Sequence, residues 1–364
     1  MEPLLRITMG DMLDQIAARF PDRDAVVYTD RPYRRTYAEF VAECNVVARG
    51  LMALGVKKGD HVAIWATNHQ QWLLNMFATA KIGAVMVTVN TSYKIFELEY
   101  LLRQSDSSTL ILMQNYRDVD YVDILNQLNP NLKDSKPGES KFRQFPHLKN
   151  IIYFGDNPAP AGMFHWDELY TLAEQVSEEE LAAQQAALHY DEVINMQYTS
   201  GTTGYPKGVM LTHYNLVNNG KSIGDCMAFT EHDRLCIPVP FFHCFGMVLA
   251  ITACYTHGSA MIPVEQFNAL KVMDAIQREK CTAVHGVPTM FIAMLEHPEF
   301  RRFDFSSLRT GIMAGSPCPV KVMQQVVDEM NMKEITIVYG QTEASPGCTQ
   351  TTTQDPLERR VATV

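Results

Sequence analysis

Short, almost wholly apolar runs recur along this chain, most of them separated by stretches whose apolar residues return at helical spacing. In the first half the runs are HVAIWA (61–66), AVMVTV (84–89), TLILM (109–113) and IIYF (151–154), with helices expected over about 70–82 and 95–104. In the second half they are VINMQYT (193–199), LCIPVP (235–240), AMIPV (260–264), TAVHGV (282–287) and EITIVYG (334–340). Helices are expected there over about 244–255, 268–278, 288–295 and 320–331. Strands alternating with helices are joined by right-handed crossovers into largely parallel sheets, so the expected fold class is α/β. At 364 residues the chain exceeds the size at which one hydrophobic core stops growing, and two packed α/β subdomains with mostly parallel sheets are expected.

Local signals mark the element ends. Thr36 and Glu39 form a capping-box pattern ahead of Phe40, Val41, Cys44, Val47, Ala48, Leu51 and Leu54, and Gly55 supplies the stop. Residues 126–149, rich in Asn, Pro, Lys, Ser and Gly, read as a surface excursion. A Ser177/Glu180 cap opens an exposed helix over 176–188, and the division between subdomains is expected near 190. That gives a first subdomain over 1–190, a second over 191–350, and a tail over 351–364.

The net charge of -10 argues against a general nucleic-acid binder but leaves room for a small anion in a local pocket. Eight cysteines with no CxxC pair fit buried thiols in a reducing compartment better than a disulfide framework or zinc site. The N-terminus lacks the long apolar core of a signal peptide, and no segment offers an uninterrupted transmembrane stretch. A cytoplasmic protein is expected.

Residues 198–208 read YTSGTTGYPKG. In the common nucleotide P-loop the lysine follows glycine and precedes Ser or Thr; here Pro206 precedes Lys207 and Gly208 follows it. The physical parts of an anion cradle are still present. Gly201 and Gly204 free the backbone for close approach, Ser200, Thr202 and Thr203 offer hydroxyl donors, and Lys207 brings a mobile point charge. The full stretch closely resembles the phosphate-binding signature of the adenylate-forming enzymes, the group of acyl-CoA synthetases, luciferases and peptide-synthetase adenylation domains. AGSPC (314–318) resembles the family's Gly-Gly-Ala-Pro region and YGQTE (339–343) its Tyr-Gly-x-Thr-Glu signature, in the same order.

The resemblance implies roles for these residues. Thr199, Ser200, Gly201, Thr202, Thr203, Gly204 and Lys207 would cradle the β and γ phosphates of ATP. Gly315, Ser316 and Pro317 would line an adenine slot, with Tyr339 stacking on the base beside Gly340. Thr342 would hydrogen-bond the α-phosphate and Glu343 would help hold Mg2+. In VPFFHCFG (239–246), His243 resembles a histidine near the reacting carboxylate, although a lone histidine among aromatic residues is as readily a packed structural group. His213 is expected to support the first turn of its helix. Phe242, Phe245, Met247 and Val248 are candidates for an acyl pocket, with Val287 and Pro288 approaching from the other side.

The wording of VPFFHCFGM and MLTHYNLVNNG is most similar to bacterial medium- or long-chain fatty-acid CoA ligases. The implied activity joins a fatty acid to ATP as an acyl-adenylate and passes the acyl group to coenzyme A, a step of lipid metabolism. Two alternatives stand beside it: an aryl-acid or carrier-protein-loading adenylation enzyme, and a nucleotide-binding regulatory module without turnover. ERRVATV (358–364) resembles the start of the segment leading into the family's third subdomain, a distorted barrel. The expected chain is thus a large N-terminal domain, with that barrel incomplete, the C-terminal lid domain absent and homo-oligomers possible through the exposed apolar face.

Overall fold

The apolar runs become strands buried on both faces, which is what sheets covered by helices on each side require. A computed structural model describes residues 3–199 and 205–363. The chain opens with β1 (Asp24–Val27) and β2 (Arg34–Thr36), then runs through β3 (His61–Trp65), β4 (Val85–Thr88) and β5 (Thr109–Leu112). A hairpin of β6 (Asn115–Tyr116) and β7 (Val119–Asp120) precedes β8 (Asn150–Tyr153) and β9 (Phe164–His165). Next come β10 (Val193–Thr199) and β11 (Lys207–Thr212). The later strands are β12 (Arg234–Ile237), β13 (Ala260–Pro263), β14 (Ala283–Gly286), β15 (Thr310–Ala314), β16 (Glu334–Gly340) and β17 (Gly347–Gln350).

Two units result, and the sequence-based division between them is corrected. One unit comprises Arg6–Asp11 and Ala42–Tyr214; the other comprises Met1–Leu5, Met12–Val41 and Asn215–Val364. The first carries a sheet in the order β11-β10-β4-β3-β5-β8-β9, parallel except for β11. β10 was expected to open the second subdomain after residue 190. Instead its Asn195–Gln197 stretch lies parallel to Met86–Thr88 of β4, and β11 folds back on it as a hairpin. The division therefore falls after Tyr214.

The second sheet has the order β17-β16-β15-β14-β12-β13-β1-β2. The strands from β16 to β1 are all parallel, and an antiparallel strand closes each edge. Residues 24–36, expected in the first subdomain, belong here: Val26 pairs with Met261. β15 has no counterpart among the expected strands, because Gly311 interrupts its apolar run. At that position φ is 146°, and an added Cβ would lie 2.0 Å from the Val284 carbonyl oxygen, so only glycine lets β14 and β15 approach.

Both expected caps form. The Thr36 N–H donates to Glu39 Oε2 at 2.8 Å, and Ser177 and Glu180 make the reciprocal pair ahead of helix Glu178–Ala186. The stretch 126–149 is less superficial than its composition implies. Leu128, Leu132, Phe142, Phe145 and Leu148 are buried in the core of their unit, so five apolar anchors pin an otherwise polar segment. The tail is tied to the rest of its unit. Residues Leu357–Thr363 form a helix whose Arg360 guanidinium donates to the carbonyls of Lys333, Ile335, Thr353 and Asp355 at 2.7–2.9 Å. Among the described residues there is no closed barrel, and no helix is long and apolar enough to cross a membrane.

Candidate active site

In open α/β sheets, ligands meet the carboxyl ends of the strands. Four neighbouring parallel strands, β12, β14, β15 and β16, deliver most of the candidate residues of the second unit at that end. β14 leads through Val287 into helix Pro288–Leu295, with Pro288 at the first helical position where its missing N–H costs nothing. β15 leads into exposed Gly315, Ser316 and Pro317. Gly315 has φ 88° and leaves 3.1 Å between an added Cβ and Val287 Cγ1, so the loops after β14 and β15 touch here.

β16 ends in Tyr339 and Gly340. Tyr339 is 58% exposed, and the register of pairing with β17 shifts between the two residues. A Cβ at Gly340 would lie 2.4 Å from the Pro346 carbonyl oxygen, which is where the chain turns back after the short Thr342–Ala344 helix. Thr342 is buried and Glu343 is exposed, without a hydrogen bond or ion pair among the described residues. Among the described residues no group of three or more His, Cys, Asp or Glu side chains could hold a metal ion, and the Glu343 carboxylate is a hard oxygen of the kind a phosphate-bound cation takes.

The turn after β12 joins His243 to Thr342. His243 Nδ1 accepts the Phe245 N–H at 3.1 Å, which puts the proton of the neutral ring on Nε2. Cys244 Sγ lies 3.7 Å from that Nδ1 and 3.6 Å from Thr342 Oγ1, bridging the two residues. His243 keeps an accessible edge, yet surrounding protein desolvates the ring and lowers its pKa. Burial raises the Cys244 pKa, with the Thr342 hydroxyl partly offsetting it. His243 is thus structural on one nitrogen and free to address a ligand on the other.

Beyond it, the helix expected over 244–255 is a π-helix over Phe245–Thr252, running into Ala253–Tyr255. Such turns are rare and concentrate at functional sites. The winding has local causes. Gly246 passes so close to the β12 turn that a Cβ would lie 2.2 Å from the Pro240 carbonyl oxygen, and the Thr252 hydroxyl donates to the Met247 carbonyl at 3.0 Å. Helix His213–Cys226 comes equally close at Gly220, where a Cβ would meet Thr252 Cγ2 at 2.3 Å. Of the candidate acyl-pocket residues, Phe245, Met247, Val248 and Pro288 are buried, while Phe242 and Val287 are half-buried.

His285 escaped the sequence reading. It is wholly buried in β14, where Nε2 donates to the Leu249 carbonyl at 2.9 Å and Nδ1 accepts the Ile312 N–H at 3.2 Å. Burial lowers its pKa to about 4, keeping the ring neutral. The signal was an ionisable residue inside the apolar run TAVHGV. His213 also departs from its expected helix-supporting role: its Nδ1 accepts the Met9 N–H at 3.0 Å, fastening the N-terminal segment of its own unit.

In the first unit the candidate phosphate loop joins β10 to β11, with Thr199 paired to Lys207 across the hairpin. Ser200, Gly201, Thr202, Thr203 and Gly204 lie outside the described residues. Lys207 is exposed, and its ammonium has no ion-pair partner among the described residues. The ends of the motif explain each other: Tyr198 pairs with Gly208, and a Cβ at Gly208 would sit 3.3 Å from Tyr198 Cζ and 3.0 Å from Met196 Sδ. The first tyrosine covers the last glycine, a cross-strand packing role.

The ends of the adjacent parallel strands β15 and β16 thus present an aromatic ring, exposed glycines, a buried threonine and an exposed carboxylate. The chain belongs to the family of AMP-binding enzymes, whose sequence model matches residues 13–364. It is 57% identical over 363 residues to the putative acyl-CoA synthetase YngI of Bacillus subtilis, covering 100% of this chain and 66% of that protein. It is 37% identical to the mitochondrial medium-chain acyl-CoA ligase ACSF2 of Mus musculus, covering 99% of this chain and 59% of that protein. Among solved structures it resembles the inhibitor-bound N-terminal domain of FACL13 from Mycobacterium tuberculosis, with a TM-score of 0.81 and 27% identity over 98% of this chain and 81% of that one. The chain thus spans less than two thirds of the length of these two curated relatives.

Proposed function

We propose that the whole protein activates a fatty acid with ATP and transfers the acyl group to coenzyme A, and that this chain supplies the nucleotide and acid subsites. A carboxylate oxygen attacks the α-phosphorus, the bond to the bridging oxygen breaks, and pyrophosphate leaves. The coenzyme A thiol then attacks the adenylate carbonyl, losing its proton as AMP departs. The carboxylate is already an adequate nucleophile, so the protein's task is to bring anions together and stabilise charge moving onto pyrophosphate.

The observation carrying this reading is the His243–Cys244–Thr342 bridge at the strand ends that also present Gly315 and Tyr339. The Thr342 hydroxyl donates to the α-phosphate, while His243 turns Nε2–H toward the incoming carboxylate. Tyr339 stacks on adenine against Gly315, Ser316, Pro317 and Gly340. Thr199, Lys207 and the loop residues 200–204 take the outer phosphates. Glu343 would hold Mg2+ together with phosphate oxygens, and the ion would supply charge neutralisation on the phosphates. The half-buried edges of Phe242 and Val287, backed by Phe245, Met247, Val248 and Pro288, suit an alkyl chain.

Kinship to acyl-CoA ligases over essentially the whole of this chain supports the acid class. The test is pyrophosphate release by the full-length protein across a series of straight-chain and aromatic acids, with and without coenzyme A. Turnover rising with alkyl length to an optimum is expected. Turnover confined to aromatic or amino acids overturns the substrate class, and nucleotide binding without pyrophosphate release overturns the reaction.

A further inference from the structure

Pro206 has one backbone hydrogen-bonding group, its carbonyl, and that oxygen belongs to the peptide plane leading into Lys207. Tyr100, half-buried on helix Ile95–Gln104 of the same unit, donates its hydroxyl to this oxygen at 3.1 Å. Its ring also stacks on Tyr205, with centroids 5.4 Å apart and planes 26° from parallel. One side chain thus holds two consecutive residues immediately before the lysine. Lys207 itself is the last rung of the β10–β11 hairpin, paired with Thr199. Backbone pairing holds one side of that rung, and Tyr100 holds the peptide on the other.

We propose that Tyr100 is a positioning residue for Lys207, fixing the direction in which the lysine stem leaves the hairpin. It acts through the Pro206 carbonyl and the Tyr205 ring and does not touch substrate. The inference rests on the reading that Lys207 meets the outer phosphates of ATP. An ammonium on a four-carbon stem loses effectiveness when its root can rotate, so the consequence falls on nucleotide binding and spares the acid. Two contacts of different chemistry divide the effect: Tyr100→Phe keeps the stack and loses the hydrogen bond, whereas Tyr100→Leu loses both.

The experiment uses the full-length protein. Tyr100→Phe raises KM for ATP about fivefold, the worth of one lost hydrogen bond, and Tyr100→Leu about twentyfold, while KM for the acid stays within twofold. Tyr170→Phe, which removes a 2.8 Å hydrogen bond to Glu43 elsewhere in the same unit, leaves KM for ATP unchanged and controls for general loosening. A second readout needs no turnover: trypsin cleavage of the Lys207–Gly208 bond in nucleotide-free protein, followed by mass spectrometry. It is faster in Tyr100→Leu than in wild type or Tyr170→Phe. Unchanged cleavage at Lys207 in Tyr100→Leu overturns the proposal, as does an equal rise in both KM values. A wild-type protein that fails to use ATP sinks the enzymatic reading instead, and the cleavage comparison still decides the role of Tyr100.

Discussion

The two units hold their candidate site residues by different mechanical means. In the second unit, backbone packs against backbone at the strands and at the turns that follow them: added methyls at Gly246, Gly311 and Gly340 would lie 2.0–2.4 Å from carbonyl oxygens of adjacent segments. In the first unit a single antiparallel hairpin carries Thr199 and Lys207, and side chains do the bracing. The atoms nearest a methyl at Gly208 belong to the Met196 and Tyr198 side chains, at 3.0–3.3 Å. A site built on a sheet inherits the sheet's rigidity; a site on a hairpin needs clamps and keeps some slack.

The largest expected effect compares a buried neutral histidine in each unit. His285 and His213 both have folded pKa values lowered to about 4 by burial, against an ordinary value of 6.5. Above pH 6.5 both states are neutral and the linkage contributes nothing. As pH falls from 6.5 to 4 the unfolded chain takes up protons that the folded one refuses, and stability drops by roughly 3 kcal/mol per histidine. Urea unfolding between pH 7.5 and 4.5 should show this slope. His285→Gln and His213→Gln should each flatten it, and an unchanged slope in both would contradict the neutral assignment.

Next in size, Thr342→Val should lower kcat for pyrophosphate release about a hundredfold, the cost of one transition-state donor, with the melting temperature nearly unchanged. An equal loss of stability would make Thr342 a packing residue. Gly246→Ala tests the backbone-bounded side of the comparison: overpacking against the Pro240 carbonyl should cost about 2 kcal/mol in denaturant melts. Gly208→Ala should cost less than about 1 kcal/mol, because the Met196 side chain can turn away. If Gly208→Ala proved the costlier of the two, the contrast between sheet and hairpin would fail.

Much of this was legible in the sequence. The parallel sheets follow from HVAIWA, AVMVTV, TLILM and LCIPVP, since strands covered on both faces must be apolar throughout. The strand-end position of Tyr339 followed from EITIVYG, whereas that of Gly315 did not, because the strand ahead of it was not expected. Partnership between distant segments was not legible. Nothing in DAVV says that β1 pairs with β13, and nothing in VINMQYT distinguishes pairing with β4 from opening a new sheet. The π-helix over Phe245–Thr252 accompanies close approaches of Gly246 to Pro240 and of Thr252 to Gly220, which periodicity cannot encode. Tyr100 carried no sequence signal, because its partners stand over a hundred positions away.

His285 has one more consequence. Its ring is a strut with one foot on the Leu249 carbonyl and the other on the Ile312 amide, two residues before Ala314 gives way to Gly315. On the function proposed above, the wall assigned to the acid and the ledge assigned to the base share a foundation. Remodelling that wall to admit a bulkier acid would then lean on the ledge as well, so a change of substrate would call for a matching adjustment where the nucleotide is proposed to rest.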